Sequence, residues 1–160
     1  MHHIVDTNVL LVASRKAPQA SLTCVLTCIE YLETIQKSGT LVIDSHRLII
    51  SEYMNKNSMS GQPNSGDAFF KWVWDHQATN RCEQVPITQI SEGEFAEFPD
   101  SESLKNFDKS DRKFVAVALT HPAKPAIANA VDSDWRNYEQ ALKDHGVSLH
   151  FLCPEFSTKS

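Results

Sequence analysis

Acidic residues follow several short apolar runs of this chain, at the points where those runs end. Asp6 interrupts "IVDTNVLL" and is followed at once by Thr7 and Asn8, and Asp44 ends "TLVID". Polar groups of this kind are costly to bury unless something pairs them. Carboxylate oxygens are the ligands that Mg²⁺ and Mn²⁺ prefer, and acid clusters that hold such ions are used for phosphodiester hydrolysis. The pattern therefore indicates a candidate site for a divalent metal ion.

Further acids lie near the ends of later elements. Glu52 lies within "RLIISEYMNK" (47–56), Asp111 is in the first turn of "SDRKFVAVALTH" (110–121), and two acids close "AVDSD". We interpret Asp108, three residues before Asp111, as a helix cap that supports the site, and Asp44 remains ambiguous. The candidate metal ligands are Asp6, Glu52, Asp111, Asp132 and Asp134.

The spacing of apolar residues predicts strands and helices in alternation. The predicted strands are 4–10, 40–44, the weak candidate 84–88, 125–131 and 147–152. The predicted helices are 21–37, 47–56, 67–77, 110–121 and 133–146. Alternation of this kind favours an α/β fold with a mainly parallel sheet, and the continuously apolar strands indicate helices on both faces. Ligands of such sheets bind outside the carboxyl ends of the strands, where these acids lie.

Length and composition set limits on this reading. The chain has 160 residues, and we expect one domain over 1–160. No apolar run approaches the roughly 20 residues that span a bilayer, and no signal-peptide pattern opens the sequence, so we expect no membrane segment and a cytoplasmic protein. The net charge of −5 does not favour a protein with a basic stripe for nucleic acid. It allows a nuclease whose acids are neutralised by cations.

The cysteines are too sparse to predict a disulfide framework or a zinc site. Cys24 and Cys28 share one helical face, whereas Cys82 and Cys153 lie far from them in the sequence. We interpret all of them as small buried apolar residues.

Taken together, "IVDTNVLL", the acid-led "DRKFVAVAL" and "AVDSDW" resemble the PIN-domain nucleases over nearly the whole chain. Asp6 matches the first acid of that family, with Thr7 and Asn8 in support. Glu52 matches its helix-borne glutamate, and Asp111 matches the acid that opens the apolar helix.

The fourth acid of the family falls on Asp132 or Asp134, because the usual Thr-x-Asp pattern reads Asp-Ser-Asp here. We include Asp134 with Asp6, Glu52 and Asp111 in the expected catalytic set, and we keep Asp132 as a metal ligand. The resemblance implies an α/β/α sandwich and Mg²⁺- or Mn²⁺-dependent cleavage of RNA by in-line attack of an activated water. Many small bacterial members of the family are toxins that pair with an antitoxin, so an antitoxin is a possible partner.

Cations beside the acids could bind phosphate groups of the RNA, and the candidates are Lys109, Arg112 and Lys113. The aromatic helix around Phe69, Phe70, Trp72 and Trp74 indicates a core or subunit interface rather than base stacking. From it we expect a homodimer or a groove that binds an antitoxin. Two other functions remain open: a PIN-like binding module without catalysis, and a metal-dependent phosphatase. The phosphatase needs a second acid two residues after the first, where this chain has Asn8.

Overall fold

The structure, a computed structural model, describes residues 1–156. Its strands are β1 (His2–Val5), β2 (Thr40–Asp44), β3 (Cys82–Val85), β4 (Gln89–Ser91), β5 (Glu94–Phe95), β6 (Ile127–Asn129) and β7 (Leu149–Phe151). A central five-stranded sheet has the order β3-β2-β1-β6-β7, and all of its neighbouring strands are parallel. The short strands β4 and β5 form a separate antiparallel hairpin.

Helices connect these strands. They are α1 (Thr7–Ala13), α2 (Leu22–Ser38), α3 (Leu48–Lys56), α4 (Ser65–His76), α5 (Arg112–Thr120), α6 (Ser133–Asn137) and α7 (Glu139–Asp144). Helices flank the parallel sheet, consistent with a three-layer α/β/α sandwich. The predicted α/β fold with a central parallel sheet is therefore confirmed.

The sheet is wound in two directions from β1. The chain passes from β1 to β2 and β3 on one side, and later adds β6 and β7 on the other side. Ile4 pairs with Ile127 and His2 pairs with Thr40, so β1 is hydrogen-bonded to β2 and β6. The boundary between β1 and β6 is thus the topological switch point, beside which open α/β sheets bind their ligands.

The central strands are mainly apolar because helices cover both faces of the sheet. Their residues are almost fully buried: Ile4, Val5, Leu41, Val42, Ile43, Ile127 and Ala128. A sheet end embedded in such a core holds the residues that follow each strand in fixed positions.

The first predicted strand differs from the observed structure. The observed strand β1 ends at Val5, and residues 7–13 form helix α1 instead of continuing the strand. The Asp6 side chain accepts a hydrogen bond from the Asn8 amide and caps that helix. The β-branched Val9 and Val12 are buried on it, so packing against the core overrides their preference for a strand.

Two other boundaries also differ. The predicted helix 133–146 is divided at Tyr138 into α6 and α7. The predicted strand 84–88 lies two residues earlier in the chain, at 82–85, where it pairs with β2.

The interpretation of every cysteine as a simple apolar residue was wrong. Cys24 and Cys153 form a disulfide across a sequence separation of 129 residues, while Cys28 and Cys82 are buried free thiols. Spacing along the chain gave no sign of this bond, because the fold alone brings the start of α2 to the segment after β7. Disulfides persist mainly in oxidising compartments, which does not favour the cytoplasmic expectation. No helix within residues 1–156 is long and apolar enough to cross a bilayer.

The aromatic helix α4 contributes mainly to the core. Phe69 and Phe70 are fully buried, and Trp72 and Trp74 pack partly buried against the same core. Arginine side chains cover both indoles, with Arg81 over Trp72 and Arg47 over Trp74. This helix therefore leaves less apolar surface for an interface than its sequence suggests, and the homodimer stays a prediction.

Candidate metal centre

Three carboxylates meet at the switch point of the sheet. Asp6 follows β1, Asp132 lies three residues after β6, and Asp111 immediately precedes α5. One oxygen from each of the three lies within 4.8 Å of the others. β1 and β6 are adjacent and parallel, so their carboxyl ends bring Asp6 and Asp132 together, and α5 adds the third acid. We refer to Asp6, Asp111 and Asp132 as the carboxylate triad.

The Asp6 side chain is buried and held from one side. The indole Nε1 of Trp135 donates to its Oδ2 at 2.6 Å, and the Asn8 amide donates weakly to its Oδ1 at 3.4 Å. Trp135 is itself fully buried. Sequence reasoning missed this tryptophan, although it lies in the "AVDSDW" motif that carries the family resemblance. A buried Trp usually finds an acceptor for its N–H, which is the only signal that could have indicated its role.

Asp111 has a different environment. It is only 7% exposed, and within residues 1–156 no side-chain or backbone group donates a hydrogen bond to its carboxylate. A buried charge without a partner is strongly unfavourable. A divalent cation held by this carboxylate would offset that penalty.

Burial raises the pKa of all three triad carboxyls. For Asp111, the charges of Asp6, Asp132 and Asp108 add to the effect of burial and raise its pKa well above the ordinary range. For Asp6, the Trp135 hydrogen bond opposes the effect of burial, whereas the charges of Asp132 and Glu52 reinforce it. Repulsion between like charges of this kind is relieved either by protonation or by a bound cation.

Asp132 and Asp134 have distinct positions. Asp132 caps helix α6, accepting a hydrogen bond from the Asp134 amide at 2.9 Å through Oδ1. The Oδ2 atom of Asp132 has no hydrogen-bond donor in the described part of the chain. Asp134 is exposed and lies outside the triad. The structure thus brings Asp132, and not Asp134, to the two other acids.

Glu52 lies next to the triad but is already fully paired. Its Oε1 accepts from the Lys113 ammonium at 2.7 Å, and its Oε2 accepts from the Thr7 hydroxyl. Glu52 is close enough for its charge to act on Asp6. Glu52 therefore lies near the triad but is not one of the acids whose oxygens lie within 4.8 Å of one another.

Asn8 supports the centre through the neighbouring strand. Its Oδ1 accepts from the Ala130 amide at 2.7 Å and from the Val131 amide at 3.2 Å. These bonds fix the two residues between β6 and Asp132, so Asn8 holds the loop that carries the third acid. Its expected supporting role therefore has a clear structural basis.

The remaining predicted residues have local partners. Asp108 is exposed and caps the short 3-10 helix before α5, accepting from Ser110. Lys109 forms an exposed ion pair with Glu94 at 3.2 Å. Arg112 donates to backbone carbonyls of the preceding turn and lies over the Phe98 ring.

Asp44, which the sequence left ambiguous, has a structural role. Its carboxylate accepts from three backbone amides that open the next helix, those of His46, Leu48 and Ile49. All of its partners are protein groups at a helix N-terminus, so it is not part of the centre.

A cavity of about 760 Å³ lies next to Glu52 and Lys113. The three triad acids do not line it, although Ser110, the neighbour of Asp111 in the chain, does. Helix α3 contributes Glu52 and Asn55 to its wall, the residues around the start of α5 contribute Ser110 and Lys113, and the β4–β5 hairpin forms the facing wall. A groove of this size accommodates a ligand larger than a single ion.

A second cluster of possible metal ligands lies where β1 and β3 begin, at the opposite end of the sheet. His2 and His121 both contact the carboxylate of Glu83. The Ala123 amide donates to Nδ1 of His121, so in the neutral ring Nε2 carries the proton and donates it to Glu83. This cluster is therefore satisfied by its own hydrogen bonds, in contrast to the triad.

The chain was also compared with protein-family models, curated proteins and solved structures, and none of the three comparisons finds a match.

Proposed function

We propose that this chain is a PIN-type endoribonuclease that depends on Mg²⁺ or Mn²⁺. The observation that supports this most directly is the carboxylate triad at the switch point, with oxygens within 4.8 Å of one another. The Asp111 carboxylate in it is buried without a donor among residues 1–156. The resemblance to PIN-domain nucleases suggests RNA as the substrate.

The donor set of the triad fits a hard divalent cation. Asp6, Asp111 and Asp132 offer only carboxylate oxygens, as Mg²⁺ and Mn²⁺ prefer, and both oxygens of Asp111 are free of protein donors in the described residues. When bound, such an ion supplies activation of water and stabilisation of negative charge on a phosphodiester. The three aspartates would hold it.

Other residues of the chain position the acids and the substrate. Trp135 fixes the orientation of Asp6, and Asn8 fixes the loop that carries Asp132. Lys109 and Lys113 line the cavity next to Glu52, and their ammonium groups can bind phosphate oxygens. A single strand of RNA lying in this groove would place a phosphodiester next to the triad.

The two alternatives from the sequence are less favourable. A phosphatase of the Asp-x-Asp type needs a second acid two residues after Asp6. That position is occupied by Asn8, whose side-chain oxygen is committed to two backbone amides. A binding module without catalysis would gain stability by replacing the unpartnered Asp111, because its burial is costly without an ion.

The test compares cleavage of single-stranded RNA by wild type and Asp111→Asn, with Mg²⁺, with Mn²⁺ and with EDTA. We expect cleavage only with metal, and a loss of orders of magnitude in the variant. Asp75→Asn is the matched control, since it makes the same chemical change at an exposed ion pair on α4. Cleavage that persists in EDTA, or in Asp111→Asn at the rate of the control, would contradict the proposal.

The biological setting is a second step of the proposal. The resemblance suggests a toxin with a protein antitoxin. Growth arrest on expression of wild type, and not of Asp111→Asn, would support it. Normal growth with an active enzyme would favour a role in RNA processing.

A further inference from the structure

Lys113 is an unusual residue for the wall of an acidic metal centre. It is the second residue of α5, two positions after the triad acid Asp111, and its side chain is 11% exposed. A buried ammonium is retained only where acceptors compensate its lost hydration. Lys113 has two such acceptors, Glu52 Oε1 at 2.7 Å and the Ser110 carbonyl oxygen.

The contacts of Glu52 explain what this ammonium does to the centre. Lys113 occupies one carboxylate oxygen of Glu52, and the Thr7 hydroxyl occupies the other. Each oxygen of Glu52 thus already has a donor, and a fixed positive charge lies 2.7 Å from the carboxylate. A second divalent ion at Glu52 would have to displace this ammonium against its charge.

Among residues 1–156, two of the triad carboxylates have fewer hydrogen-bond donors than Glu52. Asp111 has both carboxylate oxygens free of donors, and Asp132 has one free oxygen, in the region that the structure covers. Asp6 also accepts at both oxygens, but only from neutral groups and weakly at Oδ1, whereas Glu52 is bound by a positive charge. The oxygens of the three triad acids lie within 4.8 Å of one another, and Glu52 is not among them. This distribution fits one divalent ion and not two.

The Lys113 ammonium also has one N–H donor left for a ligand. A lysine has three N–H donors, and two of those of Lys113 are used by partners within residues 1–156. Lys113 lines the 760 Å³ cavity together with Ser110 and Glu52. A phosphate oxygen of a strand bound there is a suitable acceptor for the third donor.

We infer that Lys113 takes the place of a second metal ion, so that the enzyme works with one divalent ion at the carboxylate triad and one lysine ammonium that binds the scissile phosphate. Glu52 is then a positioning residue that holds Lys113 and is not a metal ligand. This inference rests on the proposed nuclease function and goes beyond it, because it fixes the number of ions and the group that binds the substrate phosphate. In two-metal enzymes a pair of ions stabilises the attacking and leaving oxygens, and here a side chain would share that task.

The first experiment counts ions. Titration of the metal-free protein with Mn²⁺, followed by calorimetry and by the electron paramagnetic resonance signal of free Mn²⁺, should give one ion per chain. Two ions of similar affinity would overturn the inference and leave the nuclease function intact. Absence of any metal-dependent RNA cleavage by wild type would instead overturn the proposed function itself.

The second experiment changes the lysine. Lys113→Gln should lower kcat/KM for single-stranded RNA by about 100-fold, the size of effect seen when one preorganised donor to a developing charge is lost. Its Mn²⁺ affinity should stay within a few-fold of wild type. Lys113→Arg, which retains the charge, should recover part of the lost activity. Lys71→Gln is the matched control, because Lys71 is an exposed lysine in an ion pair on α4.

A merely structural role for Lys113 predicts different results. In that case melting temperature, Mn²⁺ affinity and cleavage would all fall together in Lys113→Gln, and the salt dependence of kcat/KM would not change. A phosphate contact predicts a shallower salt dependence, with the slope smaller by about 0.7 for a single-stranded substrate. An unchanged slope with wild-type cleavage would overturn the inference.

Glu52→Gln provides an independent arm if the lysine variants fold poorly. The amide keeps the shape of the side chain and can still accept from Thr7, but it no longer holds the ammonium by charge. We expect one Mn²⁺ ion bound with nearly wild-type affinity and a smaller loss of cleavage than in Lys113→Gln. Loss of Mn²⁺ binding in Glu52→Gln would make Glu52 a ligand and overturn the inference.

Discussion

The indole N–H of Trp135 donates to the Asp6 carboxylate at 2.6 Å, across a separation of 129 residues. Both groups are buried, and the bond joins the end of β1 to the helix that follows β6. It holds Oδ2 of Asp6 in place, while Oδ1 accepts only a weak hydrogen bond from the Asn8 amide at 3.4 Å. Groups that orient a metal ligand in this way often matter nearly as much as the ligand itself.

The first prediction removes this donor. Trp135→Phe keeps an aromatic ring in the core but has no N–H, so Asp6 loses its strongest hydrogen bond. We expect Mn²⁺ affinity and RNA cleavage to fall by about 10- to 100-fold, the usual range for a partner of a metal ligand. Isothermal titration with Mn²⁺ and a cleavage assay measure the two effects.

Trp74→Phe is the control for the first prediction, because Trp74 is a partly buried indole of α4 that packs beneath Arg47. It should change stability slightly and leave metal binding alone. Equal Mn²⁺ affinity in wild type and Trp135→Phe would mean that the indole serves only to fill the core.

The sequence could predict those features that depend on local pattern. An acid after an apolar strand indicated Asp6, and the alternation of strands and helices indicated the parallel sheet that brings it beside Asp132. Helix α1 was missed because "TNVLL" has a composition typical of strands, and the cap by Asp6 together with burial of Val9 decides its structure. Trp135 and the Cys24–Cys153 bond were missed because their partners are 129 residues distant, a distance that no local pattern reports.

The Lys113–Glu52 ion pair is a further feature that could not be predicted from the sequence. Both residues were expected at the site, one as a phosphate contact and the other as a metal ligand. The sequence contains no information on whether two opposite charges 61 positions apart bind each other or bind separate groups. Only the packing of α3 beside α5 determines that they meet.

The second prediction separates two neighbouring acids. Asp132→Asn keeps a side chain that caps helices well but removes a charge from the triad, so metal affinity and cleavage should both fall by orders of magnitude. Asp134→Asn alters an exposed carboxylate outside the triad, and its effect should be within a few-fold of wild type. The measurement is Mn²⁺ affinity and RNA cleavage for both variants, side by side. The reverse order of effects would restore Asp134 as the fourth acid.

The third prediction concerns Asp6 itself. Asp6→Asn retains the shape and the capping ability of the side chain but lacks the charge that an ion requires. Without metal the variant should be no less stable than wild type, because one crowded anion is gone. Its thermal stabilisation by Mn²⁺ should shrink, since that gain depends on affinity for the folded state.

Melting curves of wild type and Asp6→Asn, with Mn²⁺ and with EDTA, test this third prediction, with cleavage measured in parallel. If Asp6 only ended a strand and capped α1, the variant would be destabilised, respond normally to metal, and cleave RNA normally per folded molecule. That combination would remove Asp6 from the metal centre.

The last prediction is the pH dependence of stability. Burial and the neighbouring acids raise the pKa of Asp111, whereas an aspartate in the unfolded chain titrates near about 3.9. Above that value the unfolded chain releases its proton while the folded protein still holds it. The folded state then binds more protons, so the free energy of unfolding decreases as pH rises through this window. Below about pH 4 both states are protonated and the effect is constant.

Asp111→Asn isolates this contribution, because an amide has no proton to lose there. We expect the melting temperature of metal-free wild type to fall more steeply between about pH 5 and pH 8 than that of the variant, by roughly 2–4 °C for each kcal/mol lost in a chain of this size. Added Mn²⁺ should reverse the trend in wild type, since the ion competes with protons for the same oxygens and binds better as pH rises. The variant should show little of this gain. The prediction is contradicted if the melting temperatures of the two proteins depend on pH in the same way, both with and without Mn²⁺. Asp111 would then not belong to a site that exchanges protons for a cation.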